Sequence, residues 1–105
     1  MVQVIWTELA QLDFDEIFHY YDSFSSKVAI SYSEEVIRTT DLLELFPEMG
    51  PQEPLLTHLE RNYRYVLVFR RYKIIYLFEN DVCSIMMVWD CREDPKSLLS
   101  SDRFI

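Results

Sequence analysis

The sequence predicts an α+β fold in a single domain over residues 1–105: a short N-terminal strand and a helical hairpin packed on a twisted antiparallel β-sheet. Three observations lead there. The first half carries two apolar stripes at helical spacing. The second half carries three β-rich runs whose links are too short for anything but hairpins. A chain of 105 residues, 50% hydrophobic, is enough for one core and too short for two. A lone glycine, Gly50, and four prolines argue against a disordered chain, and no apolar run approaches the ~18 residues that a membrane helix needs.

Val2 to Trp6 reads as a β-prone run, and the stretch lacks the basic start of a signal peptide, so a cytoplasmic protein is expected. Thr7 can cap a helix beginning near Glu8, because its hydroxyl accepts an orphan amide of the first turn. Ala10, Phe14, Ile17, Tyr21 and Phe24 then fall on one stripe, with Glu8, Asp13, Asp15, Glu16 and Asp22 mostly toward solvent. The serines Ser23, Ser25 and Ser26 end this helix and cap the next, whose stripe is Ala29, Tyr32, Val36, Thr39, Leu43 and Phe46. Pro47 and Met49-Gly50-Pro51 stop it, and a loop runs to about Asn62.

The β-rich runs are Tyr63–Phe69, Tyr72–Phe78 and Val82–Trp89. On the middle one, Tyr72, Ile74, Tyr76 and Phe78 share one face, and Lys73, Ile75, Leu77 and Glu79 the other. One face packs on the helices. The other is expected to stay exposed as an apolar surface for a partner or for a homodimer. Asp94 and Pro95 open a last short turn through Leu99.

Several chemistries drop out. Phosphate-cradling loops and the nucleophile elbow need several glycines, so no nucleotide or other cofactor is expected. Cys83 and Cys91 stand eight apart with no second pair, and His19 and His58 lack ligand spacing, so they read as two reduced thiols and no metal site. Asp15-Glu16 and Glu34-Glu35 are helix neighbours pointing about 100° apart and read as wet faces rather than paired acid–base groups.

Charge is unevenly placed. The total is −8, yet residues 1–60 hold twelve acids against two bases, a net −10, while residues 61–105 are at +2. Arg61, Arg64, Arg70, Arg71 and Lys73 sit among Tyr63, Tyr65, Phe69 and Tyr72 with no acid between them, a composition able to meet phosphates or acidic protein surfaces.

The order strand, acidic hairpin, Phe46-Pro47-Glu48-Met49-Gly50, then a meander with Tyr63-Arg64, Tyr72-Lys73-Ile74-Ile75-Tyr76 and Asp90-Cys91-Arg92-Glu93-Asp94-Pro95 resembles the RelE/ParE toxin superfamily. Trp6-Thr7-Glu8 with Ala10 resembles that family's entry to the hairpin. The likeness implies the toxin of a bacterial type II toxin–antitoxin system, with a cognate antitoxin encoded beside it. It also implies a choice of mechanism, because RelE-like members cut messenger RNA in the ribosome whereas ParE-like members inhibit DNA gyrase without cleavage. Ribonuclease chemistry would fall by resemblance to Arg92, Arg64 and Lys73. Here Val68 or Phe69 stands where such members carry a second arginine, Leu98 and Leu99 where an aromatic or histidine acid would lie, and the loop Gln52–His58 lacks lysines. The expected reading is therefore a toxin that binds its target, closer to the gyrase-inhibiting ParE-like branch and neutralised by a cognate antitoxin, with Arg61, Arg70, Arg71, Tyr72 and Trp89 as target or antitoxin contacts. A ribosome-dependent endoribonuclease and a diverged, non-toxic interaction module of the same fold remain as alternatives.

Overall fold

A computed structural model describes residues 2–104; Met1 and Ile105, the two ends of the expected domain, lie outside the described residues. Strand β1 (Gln3–Trp6) leads into α1 (Glu8–Asp22) and α2 (Ser26–Leu42). A 3₁₀ helix (Pro54–Leu59) follows, then β2 (Tyr63–Val68), β3 (Tyr72–Glu79), β4 (Val82–Asp90) and a short α3 (Pro95–Leu99). The caps are those the sequence offers: Thr7 Oγ1 accepts from the Ala10 amide, Ser25 Oγ from the Val28 amide, and the Asp94 carboxylate from the Lys96 amide.

The sheet runs in the order β1-β4-β3-β2. The meander β2-β3-β4 is antiparallel, whereas β1 joins β4 in parallel, Gln3 opposite Val82 and Trp6 opposite Ile85, so the sheet is mixed. The helical hairpin is the crossover that returns the chain to the sheet, a connection long enough to permit parallel pairing. Between Ile75 and Tyr76 the register skips Met86, so β4 carries the extra residue of a β-bulge and bends there.

Helix α2 ends at Leu42, four residues short of Phe46. The Leu43, Glu44 and Leu45 amides bond three residues back rather than four, a tightening expected as the chain approaches Pro47. Phe24 and Phe46, last in their sequence stripes, lie beyond the helix ends, where 3.6-residue periodicity no longer applies, and both are exposed.

Both faces of the sheet are buried. On one, Ala10, Tyr21, Ala29, Tyr32 and Val36 of the hairpin meet Val66, Val68, Tyr72, Ile74, Tyr76, Ile85 and Val88. Rings dominate that layer: Tyr32 lies 5.8 Å from both Tyr21 and Tyr72, and 6.0 Å from Phe69. On the other, Tyr63, Ile75, Leu77, Met87 and Trp89 meet Leu56, Leu98 and Phe104. The expected open apolar face is thus a second core, because the loop after α2 and the C-terminal segment fold back over it. Gly50 sits where that loop crosses β2; a Cβ there would stand 2.2 Å from the Tyr65 carbonyl oxygen, so no other residue fits.

Candidate functional site

The β2–β3 turn places Phe69 and Arg70 at φ 57° and 54°, in the left-handed region that two-residue hairpin turns require and that bulky residues resist. Two contacts hold it. The Glu35 carboxylate accepts the Phe69 amide, and the Phe69 ring packs on Tyr21 and Tyr32. Glu35, read from sequence as part of a wet helix face, is therefore the anchor that binds α2 to the turn, a contact across thirty-four positions that no local pattern signals.

This turn delivers Arg70 to solvent and Arg71 into a cleft between α1 and the ends of β3 and β4. The cleft holds about 360 Å³. Arg71 donates from Nη2 to Asp90 Oδ2 at 3.1 Å, and its guanidinium lies 5.2 Å from the Tyr72 ring and 5.8 Å from the Tyr20 ring. Arg92 reaches the same carboxylate: Nη2 to Oδ2 at 3.1 Å, Nε to Oδ1 at 3.3 Å, with its own amide on Oδ1 at 2.9 Å. One carboxylate thus gathers two guanidiniums beside the exposed Tyr20, in a cleft whose walls also carry Asp13, Glu16 and Glu93. Burial, with the hydroxyl of Tyr21 2.9 Å away, pushes the Tyr72 phenol well above its usual range, so Tyr72 serves as a neutral hydrogen-bonding group and not as a proton acceptor.

The other cations lie elsewhere. Arg64 is on the hairpin face of β2, where its guanidinium ties the loop after α2: Nη1 to the Gly50 carbonyl at 2.8 Å and Nη2 to Glu48 at 3.0 Å. Lys73 is on the opposite face, 2.9 Å from the fully buried Glu53 carboxylate and 4.3 Å over the Tyr65 ring. The position opposite Lys73 in the register is Leu67, three residues and about 10 Å along β2 from Arg64. Arg92, Arg64 and Lys73 are consequently not brought together; each is held by a different acid. Arg61 at the far end of the strand grips Glu79 through two nitrogens, and that guanidinium holds the Glu79 carboxyl below its usual range.

Two expected contact residues are core. Tyr72 is buried under the hairpin, and Trp89 is buried beneath Leu98 and Phe104, its Nε1 without a hydrogen-bond partner among the described residues. Sequence alternation placed both on the sheet but gave no sign of the cover that closes over Trp89. The Asp13–Arg103 pair (2.6 Å) was also missed, since its members are ninety positions apart. Cys83 is buried and Cys91 exposed, both as free thiols, and no cluster of three or more metal-ligating side chains occurs among the described residues.

Residues 4–95 match the model of a family described as the ParE toxin of type II toxin–antitoxin system, parDE. The chain belongs to the ParE toxin family. A solved structure described as the chromosomal ParDE TA system from P. aeruginosa is similar to this ParE-family chain at 16% identity, covering 86% of this chain and 96% of that one, with a TM-score of 0.67. At that identity the likeness concerns the fold. Among curated proteins, none matches the chain in sequence. No helix among the described residues is long and apolar enough to cross a membrane.

Proposed function

We propose that this ParE-family toxin works in the cytoplasm by binding DNA gyrase rather than by cutting RNA, and that a cognate antitoxin encoded beside it keeps it silent. One observation carries the choice. Cleavage through the ribose 2′-hydroxyl needs a base, an acid and cations converging on one phosphate, whereas Arg64 and Lys73 occupy opposite faces of the sheet and both serve to fasten the same loop. The remaining cations, Arg70 with Arg71 and Arg92 around Asp90, stand beside the exposed Tyr20 in a mixed-charge cleft suited to recognition: a flat guanidinium and an aromatic ring side by side suit an acidic or aromatic surface.

The test is to induce the protein alone, follow growth, map messenger 5′ ends in the same culture, and assay gyrase supercoiling with purified protein. Arrest without new cuts, together with gyrase inhibition that weakens at least tenfold in Arg70→Glu, is expected. New cuts inside translated codons that vanish in Arg92→Ala would establish the ribonuclease instead. Unimpeded growth would leave a non-toxic binding module.

A further inference from the structure

The two hairpin turns of the sheet share a backbone and differ in residues. At the β3–β4 turn, Asn80 and Asp81 sit at φ 54° and 60°, and both residue types tolerate the left-handed region because a short polar side chain bonds locally. At the β2–β3 turn, Phe69 and Arg70 sit at φ 57° and 54°, closed by the Arg71 amide on the Val68 carbonyl at 3.1 Å. Neither residue suits that backbone. Long side chains are strained there, and such strain persists only where the surroundings over-determine the conformation. The chain builds the same turn from favourable residues at 80–81, so what Phe69 and Arg70 contribute is their side chains.

Those side chains have different tasks. The Phe69 ring is pinned, 5.6 Å from Tyr21 and 6.0 Å from Tyr32, and the Phe69 amide donates to Glu35 Oε2 on α2. Arg70 is exposed. Of the six lysines and arginines between 61 and 92 it is the only one with no acid among the described residues: Arg61 holds Glu79, Arg64 holds Glu48, Lys73 holds Glu53, and Arg71 and Arg92 share Asp90. A guanidinium fixed at its backbone and free at its tip has lost part of its freedom before a partner arrives, and its planar fork of N–H donors matches a carboxylate. The chain's net −8 opposes a polyanion such as nucleic acid, whereas one carboxylate asks for only one guanidinium.

We infer that Glu35 is a positioning residue for Arg70: from α2 it latches the strained turn, and the turn presents the Arg70 guanidinium to a carboxylate on the target protein. This rests on the gyrase-binding reading given above and adds what holds its main contact in place and which chemical group that contact takes. The latch depends on reach and on an acceptor oxygen more than on charge, because its donor is a neutral backbone amide.

Gyrase supercoiling and growth arrest on induction are measured for wild type, Glu35→Gln, Glu35→Asp, Glu35→Ala and Arg70→Asn, with thermal melts and amide exchange on each protein. Glu35→Gln keeps an acceptor oxygen at the same reach and is expected to inhibit within about threefold of wild type. Glu35→Asp keeps the charge but falls one methylene short, so it and Glu35→Ala should lose at least about tenfold, with exchange quickened over 69–71 and the rest of the sheet protected. Arg70→Asn should melt above wild type, because asparagine relieves the left-handed strain, yet inhibit at least about tenfold less. A residue that only props the fold would not trade activity for stability in this way. Equal losses in Glu35→Gln and Glu35→Ala, full inhibition by Glu35→Asp and Glu35→Ala, or full inhibition by Arg70→Asn overturns the inference and leaves gyrase binding standing. So does exchange quickened throughout the sheet in Glu35→Asp, which would make Glu35 a prop of the whole fold. Binding of wild type to a DNA duplex of about 20 base pairs, lost in Arg70→Asn, would assign the guanidinium to phosphate and overturns it too. Arrest without gyrase inhibition, graded in the same order across the variants, has the opposite meaning: the gyrase reading falls and the positioning role stands. Neither arrest nor inhibition by wild type overturns both.

Discussion

On the hairpin side of the sheet, two helices of 15 and 17 residues lay continuous stripes of rings and aliphatics over Tyr72, Ile74 and Ile85. On the far side, a six-residue 3₁₀ helix, a five-residue α3 and Phe104 cover Ile75, Leu77, Met87 and Trp89. The first cover is held by area. The second is short, so polar ties do more of the fastening: Lys73 to the buried Glu53 at the 3₁₀ helix, and Arg103 to Asp13 at the C-terminus. What differs is how each cover should fail, all at once on the hairpin side and piece by piece on the other.

The largest effect belongs to the hairpin side. Tyr32 is fully buried, packs against four other rings, and donates to the Phe14 carbonyl at 3.3 Å. Tyr32→Ala should cost about 3–5 kcal/mol, and urea unfolding followed by helix and sheet signals should show one coincident transition at lower urea. Separate transitions would mean that the two faces are not one cooperative unit.

Lys73→Ala tests the far side. It strands the Glu53 carboxylate in a fully buried position, which costs about 3 kcal/mol. The loss should be local: amide exchange should quicken first over 54–59, with α1 and α2 still protected. The double variant Lys73→Met with Glu53→Gln should recover most of the stability, because no charge is then left buried. Uniform acceleration of exchange would erase the distinction between the two covers.

The same contrast explains what the sequence could and could not disclose. Ala10 through Tyr21 and Ala29 through Leu43 repeat at helical spacing with serine or threonine at each start, so elements and caps were readable, and the inner face too except that Thr40, not Thr39, is its buried threonine. The three strands were readable to within a residue or so at each end. The cover over Trp89 was not, because Leu56, Leu98 and Phe104 come from segments too short to show a period. In the site, the Arg92–Asp90 pair joins residues two apart, whereas Lys73–Glu53 and Arg64–Glu48 span twenty and sixteen positions and are set by the path of the loop after α2. Reading basic residues by their nearness in sequence therefore grouped Arg64 with Lys73, which the alternation of side chains across the sheet puts apart.

Alkaline pH gives a smaller and differently signed probe of the hairpin side. Burial pushes the Cys83 thiol from 9.0 up to about 11 and drives the Tyr32 and Tyr72 phenols higher still in the same direction. All three raised groups favour the protonated folded state, so their contribution is full below the unfolded values and is lost as pH rises toward the folded ones. Cys83 alone accounts for about 2–3 kcal/mol lost between roughly pH 9 and pH 11. Cys83→Val should flatten that part of the stability–pH curve in thermal melts, while a variant of the exposed Cys91 should leave the thiol-dependent fall in place.

The smallest structural effect is expected where function is proposed. Arg92 is two-thirds exposed and shares Asp90 with Arg71, which stays in place when Arg92 is removed. Arg92→Ala should therefore cost less than about 1 kcal/mol and leave the melting profile nearly unchanged. Its meaning lies in activity. In a binding toxin, removing one of the two guanidiniums on Asp90 takes one donor group from the cleft and weakens target affinity by a modest factor, with Arg70→Glu producing the larger loss. In a cleaving enzyme the same change would abolish turnover outright. Because the fold is insensitive to this position, graded loss and complete loss can be compared without correcting for unfolding, and that ratio separates a surface that recognises from one that reacts.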